Sequence, residues 1–169
     1  TTNIGDTDYA AFQKAISYGF VDRVPNKIEN LTDFIKKYPK SNLRQDALFE
    51  LANTYVALEN TEKAIPLYQQ IQNEYPNGTL TAKSMLREGL IYYNNEQDQK
   101  ALNVFKEITK KYPKTSEAIQ AISSAKGIYA EMGKVNEYAQ WVKGLGYVNI
   151  SDGEIDNAAF EVAERQYLK

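Results

Sequence analysis

The sequence predicts an all-α protein built from antiparallel helix pairs, and three observations support this prediction. Tyr-Pro pairs place Pro39, Pro76 and Pro113 at equal intervals of 37 residues. Small and aromatic residues recur at the same interval, as Tyr55 and Tyr92 do. The apolar residues within one interval follow the period of an α-helix. A repeat of this length is typical of stacked supersecondary units, each of which buries its apolar face against its neighbours.

The first helix of a unit is predicted by the stretch "ALFELANTYVAL", from Ala47 to Leu58. Leu48, Leu51, Ala52 and Tyr55 lie at positions i, i+3, i+4 and i+7, which form one face of a helix. At the position of Ala52 the next unit has Gly89. We expect these small residues to let a neighbouring helix approach closely.

The second helix follows in "EKAIPLYQQIQNEYP", from Glu62 to Pro76, with Thr61 as the residue that starts it. Its apolar residues again have helical spacing, and the aromatic residue at position 68 or 105 is expected to fill the space beside the small residue. Pro66 lies in this stretch. We expect it to cost much less than the ~3 kcal/mol of a proline in mid-helix, because it lies near the start.

The hexamers "KKYPKS" and "KKYPKT" mark the end of a unit. Lysines in a last helical turn favour the negative end of the helix dipole, and proline stops the helix and biases the preceding Tyr away from helical geometry. Hydroxyl residues that follow the prolines can cap the next helix. These candidate caps are Ser41, Thr79, and Thr115 or Ser116.

These residues resemble the tetratricopeptide repeat. Leu48, Leu51-Ala52, Tyr55, Ala64, Tyr68, Ile71 and Pro76 follow its pattern, as do Met85, Gly89, Tyr92, Ala101, Phe105, Ile108 and Pro113. Glu88 departs from the pattern, which has Leu there, and the period is 37 rather than the usual 34. The longer inter-unit turns resemble the bacterial cell-envelope branch of the family, which includes the Tol-associated periplasmic repeat proteins and the beta-barrel-assembly lipoprotein group.

The resemblance implies a right-handed superhelical solenoid in which residues 1–169 form a single domain. Its predicted repeats span about 8–40, 45–77, 82–114 and 119–146, and a partial repeat or capping helix spans 156–169. The segment from Ser151 to Asp156 is interpreted as a capping box, with a metal site as the alternative. We interpret the start at Thr1, without an initiator Met, as that of a trimmed chain.

The amino-acid composition excludes several classes of function. The chain has neither Cys nor His, which excludes disulfides, thiolate zinc sites and Ser-His or Cys-His dyads. We therefore predict no enzyme activity, no cofactor and no bound metal. The net charge of -2 argues against a nucleic-acid partner. No apolar run approaches the roughly 20 residues that span a bilayer, so we expect no direct membrane insertion of this chain.

The family's concave groove, lined by the first helix of each repeat, implies where a ligand binds. Its positions correspond here to Phe12, Phe49, Asn53, Val56, Leu86, Arg87, Leu90 and Tyr93. These residues favour a protein or peptide with an apolar segment, bound by a non-catalytic scaffold. The alternative is a structural segment of a longer repeat array, acting in assembly of an envelope complex, whose groove is filled by its own neighbouring repeats. Self-association would favour that alternative. The expected location is the bacterial cell envelope or periplasm, or otherwise the cytoplasm.

Overall fold

The computed structural model describes residues 4–148, and side chains from Thr7 onward. In this part every regular element is an α-helix, which confirms the all-α prediction. The helices are α1 Ile4–Phe20, α2 Val24–Lys37, α3 Arg44–Ala57, α4 Thr61–Glu74, α5 Thr81–Asn94, α6 Asp98–Lys111, α7 Ser116–Glu131 and α8 Val135–Leu145. The predicted capping box and the partial repeat at 156–169 lie outside the described residues.

The chain divides into two compact units, and the boundary falls within α5. Unit 1 ends at Ser84 and unit 2 begins at Met85. In unit 1, α1 packs against α2, α2 against α3, and α3 against α4. One core cluster of unit 1 brings α1, α2 and α3 together through the buried side chains of Ala15, Leu31, Phe34, Ala47 and Leu51.

In unit 2, α6 packs against α7, and α7 against α8. One continuous core joins these helices to the part of α5 that follows the boundary. Phe105, Ile108, Ile128 and Val142 are fully buried in it. Small residues on α7, such as Ala121, separate these large side chains, so that the helices pack closely.

The three Tyr-Pro corners share one backbone geometry, as a true repeat requires. Tyr38, Tyr75 and Tyr112 each follow the last residue of a helix, with φ between -121° and -130° and ψ between 56° and 61°. Proline disfavours helical geometry in the residue before it, and this forces the chain to turn. Each Tyr N–H still donates to the carbonyl four residues earlier, at 2.8–2.9 Å. The predicted lysine pairs do lie in the last turns of α2 and α6.

The turn inside each helix pair also repeats at 37 residues. Asp22, Glu59, Glu96 and Gly133 all have left-handed backbone geometry, with φ of 55°, 58°, 57° and 67°. The N–H of the following residue donates to the carbonyl of the recurring Tyr five residues before it, at 2.8–2.9 Å. This bond is typical of a Schellman helix end. The backbone therefore repeats both at the turn inside each of the four pairs and at the corner that ends each of the first three.

The predicted helix starts at Thr115 and Thr61 are confirmed, whereas the cap predicted at Ser41 is wrong. Thr115 caps α7, because its hydroxyl oxygen accepts a hydrogen bond from the Ala118 N–H at 3.2 Å. Thr61 is the first residue of α4, and the N-cap before it is Asn60. The Asn60 side chain accepts from the Lys63 N–H at 3.2 Å.

Ser41 does not cap α3, since the N-cap of that helix is Leu43 and no side chain accepts from the first turn. The Ser41 hydroxyl instead forms hydrogen bonds within the connection that precedes α3. It accepts from the Leu43 N–H at 3.1 Å and donates to the Asp8 carboxylate at 2.5 Å. Ser41 therefore joins the connection between α2 and α3 to α1.

Pro66 is the sixth residue of α4. The expectation that it costs much less than a proline in mid-helix, because it lies near the helix start, stays a prediction. A residue at this position normally donates to the carbonyl four residues earlier, that of Glu62, and proline has no N–H with which to do so. The ring is exposed, which leaves room for the helix to adjust.

The predicted close approach at Gly89 is confirmed. A Cβ atom added there would lie 2.6 Å from Cε1 of Phe105, whose ring is fully buried. Glycine at this position therefore lets the Phe105 ring pack directly on the backbone of α5. At the same position in unit 1, Ala52 and Tyr68 are both fully buried.

Glu88, which stands where the repeat pattern has Leu, is only 5% exposed. Its Oε1 accepts a hydrogen bond from the Tyr92 hydroxyl at 3.2 Å, one helical turn along α5. Burial raises the pKa of Tyr92, and the neighbouring Glu88 carboxylate raises it further. Tyr92 therefore stays protonated and available as a donor, which compensates part of the cost of burying this side chain.

Candidate peptide-binding groove

Unit 1 has an open groove with a volume of about 610 Å³. We call it the unit 1 groove. Its walls come from α1, from α3, from the start of α2 and from the segment that enters α5. The lining residues are Phe12, Ile16, Gly19, Phe20, Lys27, Asp46, Phe49, Glu50, Leu80 and Lys83.

Aromatic rings form the floor and one rim of the groove. The ring of Phe12 packs on Phe34 at a centroid distance of 5.7 Å. Phe49 is 6% exposed and meets the ring of Tyr68 edge-on at 5.8 Å. Phe20, the last residue of α1, is 85% exposed. The floor is therefore fixed by packing, whereas the rim has apolar surface that a ligand can cover.

An ion pair lies within the groove. Nζ of Lys27 is 3.1 Å from Oε2 of Glu50, and the Lys27 side chain is largely buried. The stem of Lys27 passes close to Gly19, where an added Cβ would lie 3.2 Å from its Cδ. In the 37-residue pattern Lys27 occupies the position of Ala64 and Ala101. The first helix pair therefore has a half-buried charge pair where the second and third pairs have a small apolar residue.

Two further charged groups lie on the rim of the groove. Lys83 places its Nζ 5.6 Å from the centre of the Phe49 ring, within the range of a cation–π contact. Asp46 is exposed near the start of α3. Among residues 7–148, neither side chain forms an ion pair within 4 Å. Both are therefore available to orient a polar or charged group beside the apolar floor.

Of the eight residues predicted to contact a ligand, Phe12 and Phe49 lie together in the unit 1 groove. Asn53 and Val56 are half-buried on α3 but are not among its lining residues. The Asn53 Oδ1 accepts a hydrogen bond from the Tyr68 hydroxyl at 2.7 Å. Asn53 thus already supports the α3–α4 packing.

The other four predicted residues lie in unit 2. Leu86 is 5% exposed and belongs to the core, while Leu90 and Tyr93 are half-buried against it. Arg87 is exposed. The assignment of the eight residues as ligand contacts stays a prediction.

The predicted set of ligand contacts contains none of the four charged lining residues and not the exposed Phe20. A signal for Lys27 was present, because a lysine replaces the small residue that recurs at 64 and 101. Leu80 and Lys83 gave no such signal. They line the groove because the connection from α4 folds back toward α3, and the Thr81 hydroxyl fixes that connection by donating to the Tyr75 carbonyl.

Two kinds of feature are absent from the part of the chain that the structure describes. No group of three or more acidic, His or Cys side chains there could hold a metal ion. None of the described helices combines the length and apolar character needed to cross a bilayer.

Comparison with known proteins places this geometry in a family context. Two segments, residues 46–78 and 83–115, match the tetratricopeptide repeat model. A tetratricopeptide repeat protein from Parabacteroides merdae ATCC 43184 superimposes with a TM-score of 0.73 at 13% sequence identity. The fold is the tetratricopeptide repeat fold. That alignment covers 96% of this chain and 61% of the other, so this chain spans less than two thirds of that protein.

Two further solved structures are similar over nearly the whole chain. MamA aligns with a TM-score of 0.64 and 18% identity, covering 96% of this chain and 81% of its own. The kinesin light chain TPR-like repeats of Podosopora anserina align with a TM-score of 0.64 and 14% identity, covering 100% and 91%. No curated protein sequence is significantly similar to this chain. The repeat resemblance is confirmed in the two matched segments, and the cell-envelope branch stays a prediction.

Proposed function

We propose that this protein is a non-catalytic scaffold that binds an apolar segment of a protein partner in the unit 1 groove. The observation that supports this most directly is the open groove itself, with Phe12, Ile16 and Phe20 on one side. Tetratricopeptide repeats imply a protein-interaction scaffold, and an apolar floor with a few polar groups is the usual composition of a binding site.

The energetics favour the rim as the place where affinity arises. Phe49 is already buried by the fold, so a ligand gains little additional buried area from it. Phe20 is mostly exposed, and covering a side chain of this size contributes about 1.5–3 kcal/mol. The polar groups on the rim, Lys83 and Asp46, would then set the direction and register of the bound segment.

The experiment uses a random peptide library, selected on the immobilised full chain. Affinities of the selected peptides are then measured by fluorescence polarisation. Phe20→Ser should weaken binding about tenfold or more, from the loss of buried apolar area. Val21→Ser is the matched control, because Val21 is the next residue, is also exposed and does not line the groove.

Two outcomes would reject the proposal. One is a set of peptides whose affinity is unchanged by Phe20→Ser. The other is an equal loss with Val21→Ser, which would indicate a general effect of surface apolarity. Helix content measured by circular dichroism should be the same in both variants, since neither side chain is part of the core.

A second candidate is the structural segment of a longer repeat array. The exposure of Tyr9 and Phe20 on α1 favours it, because a helix inside such an array would have these side chains covered. Sedimentation velocity over a concentration series separates the two candidates. Self-association that Phe20→Ser abolishes would support the array, whereas a monomer at all concentrations would favour the peptide-binding scaffold.

We also propose a location in the bacterial cell envelope, supported by the Tyr-Pro turns with a following Ser or Thr. Fractionation of the source cells, with detection by antibody, tests this. Recovery with periplasmic or envelope markers is expected. Recovery with cytoplasmic markers would contradict it.

A further inference from the structure

A second concavity, in unit 2, lies between the C-terminal ends of α6 and α8, and its volume is about 450 Å³. We call it the α6–α8 pocket. Lys106, Thr109, Lys110 and Pro113 form one wall; Trp141, Gly144, Leu145 and Tyr147 form the other. It is formed by the second helices of two successive pairs, whereas the predicted ligand residues lie on first helices.

The aromatic wall is rigid. Trp141 lies 6.2 Å, between ring centroids, from both Tyr129 and Tyr138, and these two tyrosines are 6.1 Å apart. Tyr138 stands where the second and third repeats have Ala, so this cluster exists because the sequence departs from the repeat. Such mutual ring contacts fix the orientation of each member. Trp141 is therefore held at the pocket in one orientation.

The opposite end of the pocket is closed by Tyr147. Its hydroxyl donates to the Thr109 carbonyl at 3.1 Å, which ties the segment after α8 to the last turn of α6. Burial raises the pKa of Tyr147, while the hydrogen bond to Thr109 opposes that rise. Gly144 belongs to the wall formed by α8, and a Cβ atom there would meet nothing within 4 Å. The pocket therefore has free space beside Gly144.

The pocket has a positive charge that no acidic lining residue balances. Lys106 and Lys110 are one helical turn apart on α6, and like charges at this spacing repel each other. Nζ of Lys106 is held 5.5 Å from the Tyr129 ring and 5.9 Å from the Trp141 ring. Within residues 7–148, neither lysine has a carboxylate within 4 Å.

The nearest acid on α6 is already engaged elsewhere. Glu107 pairs with Lys111 at 2.5 Å, and the hydrogen bond between them raises the pKa of Lys111. Part of the charge of Lys110 balances the negative end of the helix dipole, but this does not remove the repulsion from Lys106. An anionic group that enters the pocket would relieve that repulsion and meet two cations at once.

We propose that the α6–α8 pocket is a second docking site, which binds an acidic protein segment that carries a bulky apolar side chain. The apolar side chain lies against Trp141 and Leu145, and the carboxylates meet Lys106 and Lys110. The charge of the lining selects the acidic partner, and the aromatic wall selects the apolar anchor. This site and the unit 1 groove are independent, so either can fail without the other.

The chain supplies its own reporter, because Trp141 is its only tryptophan. The probe is the acetylated and amidated peptide Glu-Glu-Leu-Glu-Glu, titrated into the full chain while tryptophan fluorescence is recorded. Two further peptides separate the contributions: Gln-Gln-Leu-Gln-Gln lacks the charge, and Glu-Glu-Gly-Glu-Glu lacks the anchor. Inorganic phosphate and vesicles of anionic phospholipid test the other sources of negative charge.

We expect a saturable fluorescence change with the acidic leucine peptide, and weaker binding of both altered peptides. Affinity should fall as salt is added, since the lysines are partly exposed and their attraction is screened. Lys110→Ala should weaken binding about two- to fivefold. Lys111→Ala is the matched control, because it removes the same charge from the same helical turn but does not line the pocket.

Several results would overturn the proposal. If the glutamine peptide binds equally well, the carboxylates do not contribute to binding. If the glycine peptide binds equally well, the leucine side chain does not contribute. Equal losses with Lys110→Ala and Lys111→Ala would indicate a general electrostatic effect. A response to phosphate alone or to vesicles that matches the peptide response would assign the site to an inorganic anion or to a membrane surface. No fluorescence change at all would also reject it.

Discussion

Gly89 offers the sharpest test of how the helix pairs pack. In Gly89→Ala, the added Cβ atom would lie 2.6 Å from Cε1 and 3.0 Å from Cδ1 of Phe105. Real Cβ atoms do not approach carbon so closely, and the Phe105 ring is fully buried, so it cannot move aside freely. Overpacking of this kind costs typically ~1–3 kcal/mol. Alanine regains up to about 1 kcal/mol of helix propensity. We therefore expect a net loss of about 1–2 kcal/mol.

The measurement is urea and thermal unfolding followed by circular dichroism. A loss of this size should lower the melting temperature by several degrees, at roughly 2–8 °C per kcal/mol for domains of this size range. Gly144→Ala is the control, since Gly144 is also helical and an added Cβ there meets nothing within 4 Å. That variant should be neutral or slightly stabilising, because only the propensity gain remains.

A second substitution tests whether Phe105 is the cause. In the Gly89→Ala background, Phe105→Leu should cost less than it does alone, because the shorter side chain removes the clash. The double-mutant cycle should then give a coupling energy of about 1 kcal/mol. If Gly89→Ala is as stable as Gly144→Ala, or if the two substitutions are simply additive, the close approach described for α5 and α6 is wrong.

Three further predictions concern the helix ends and α4. Pro66→Ala should raise the free energy of unfolding, by up to ~3 kcal/mol, because it restores a backbone hydrogen bond in the interior of α4; an unchanged urea midpoint would contradict this. Gly133→Ala should lower the free energy of unfolding by about 1 kcal/mol through backbone strain alone, since no atom lies within 4 Å of the new methyl group. An unchanged melting temperature would contradict the left-handed geometry at this residue. Thr115→Ala should cost about 1 kcal/mol from loss of the α7 cap, whereas Ser116→Ala should cost much less in the same urea titration.

Much of the fold can be predicted from the sequence, because the 37-residue period is visible in residues that each have one structural role. The prolines of the three Tyr-Pro pairs end a helix at the same place in successive pairs, and a recurring Tyr marks the end of the first helix in each pair. Gly89 and Phe105 were predicted as neighbours for the same reason, since a small residue and a ring at matching positions of two helices complement each other. Patterns that repeat four times leave little freedom for another arrangement.

The caps were harder to predict because several hydroxyl and amide side chains stand close to each helix start. Asn60 and Thr61 are adjacent, and both residue types favour the N-cap. The choice between them depends on one residue of register, which the period alone does not determine. Ser41 shows the second difficulty, since its hydroxyl bonds to Asp8, 33 residues earlier in the chain. Such a contact is set by tertiary packing and has no local signal.

The two proposed sites are harder to predict than the fold, because they depend on residues that depart from the repeat pattern. Lys27 replaces a small residue and brings a charge pair into the unit 1 groove. Tyr138 replaces the same small residue in the fourth pair and completes the aromatic wall beside Trp141. The same repeat position is thus a small residue, Ala64 or Ala101, in the second and third pairs. It is a charged residue in the first pair and an aromatic residue in the fourth. Because stacked repeats contact only their neighbours, such a replacement changes one local surface and leaves the remaining pairs intact. Each repeat can therefore gain its own ligand chemistry without loss of the fold, and the two proposed docking sites of this chain lie where that has occurred.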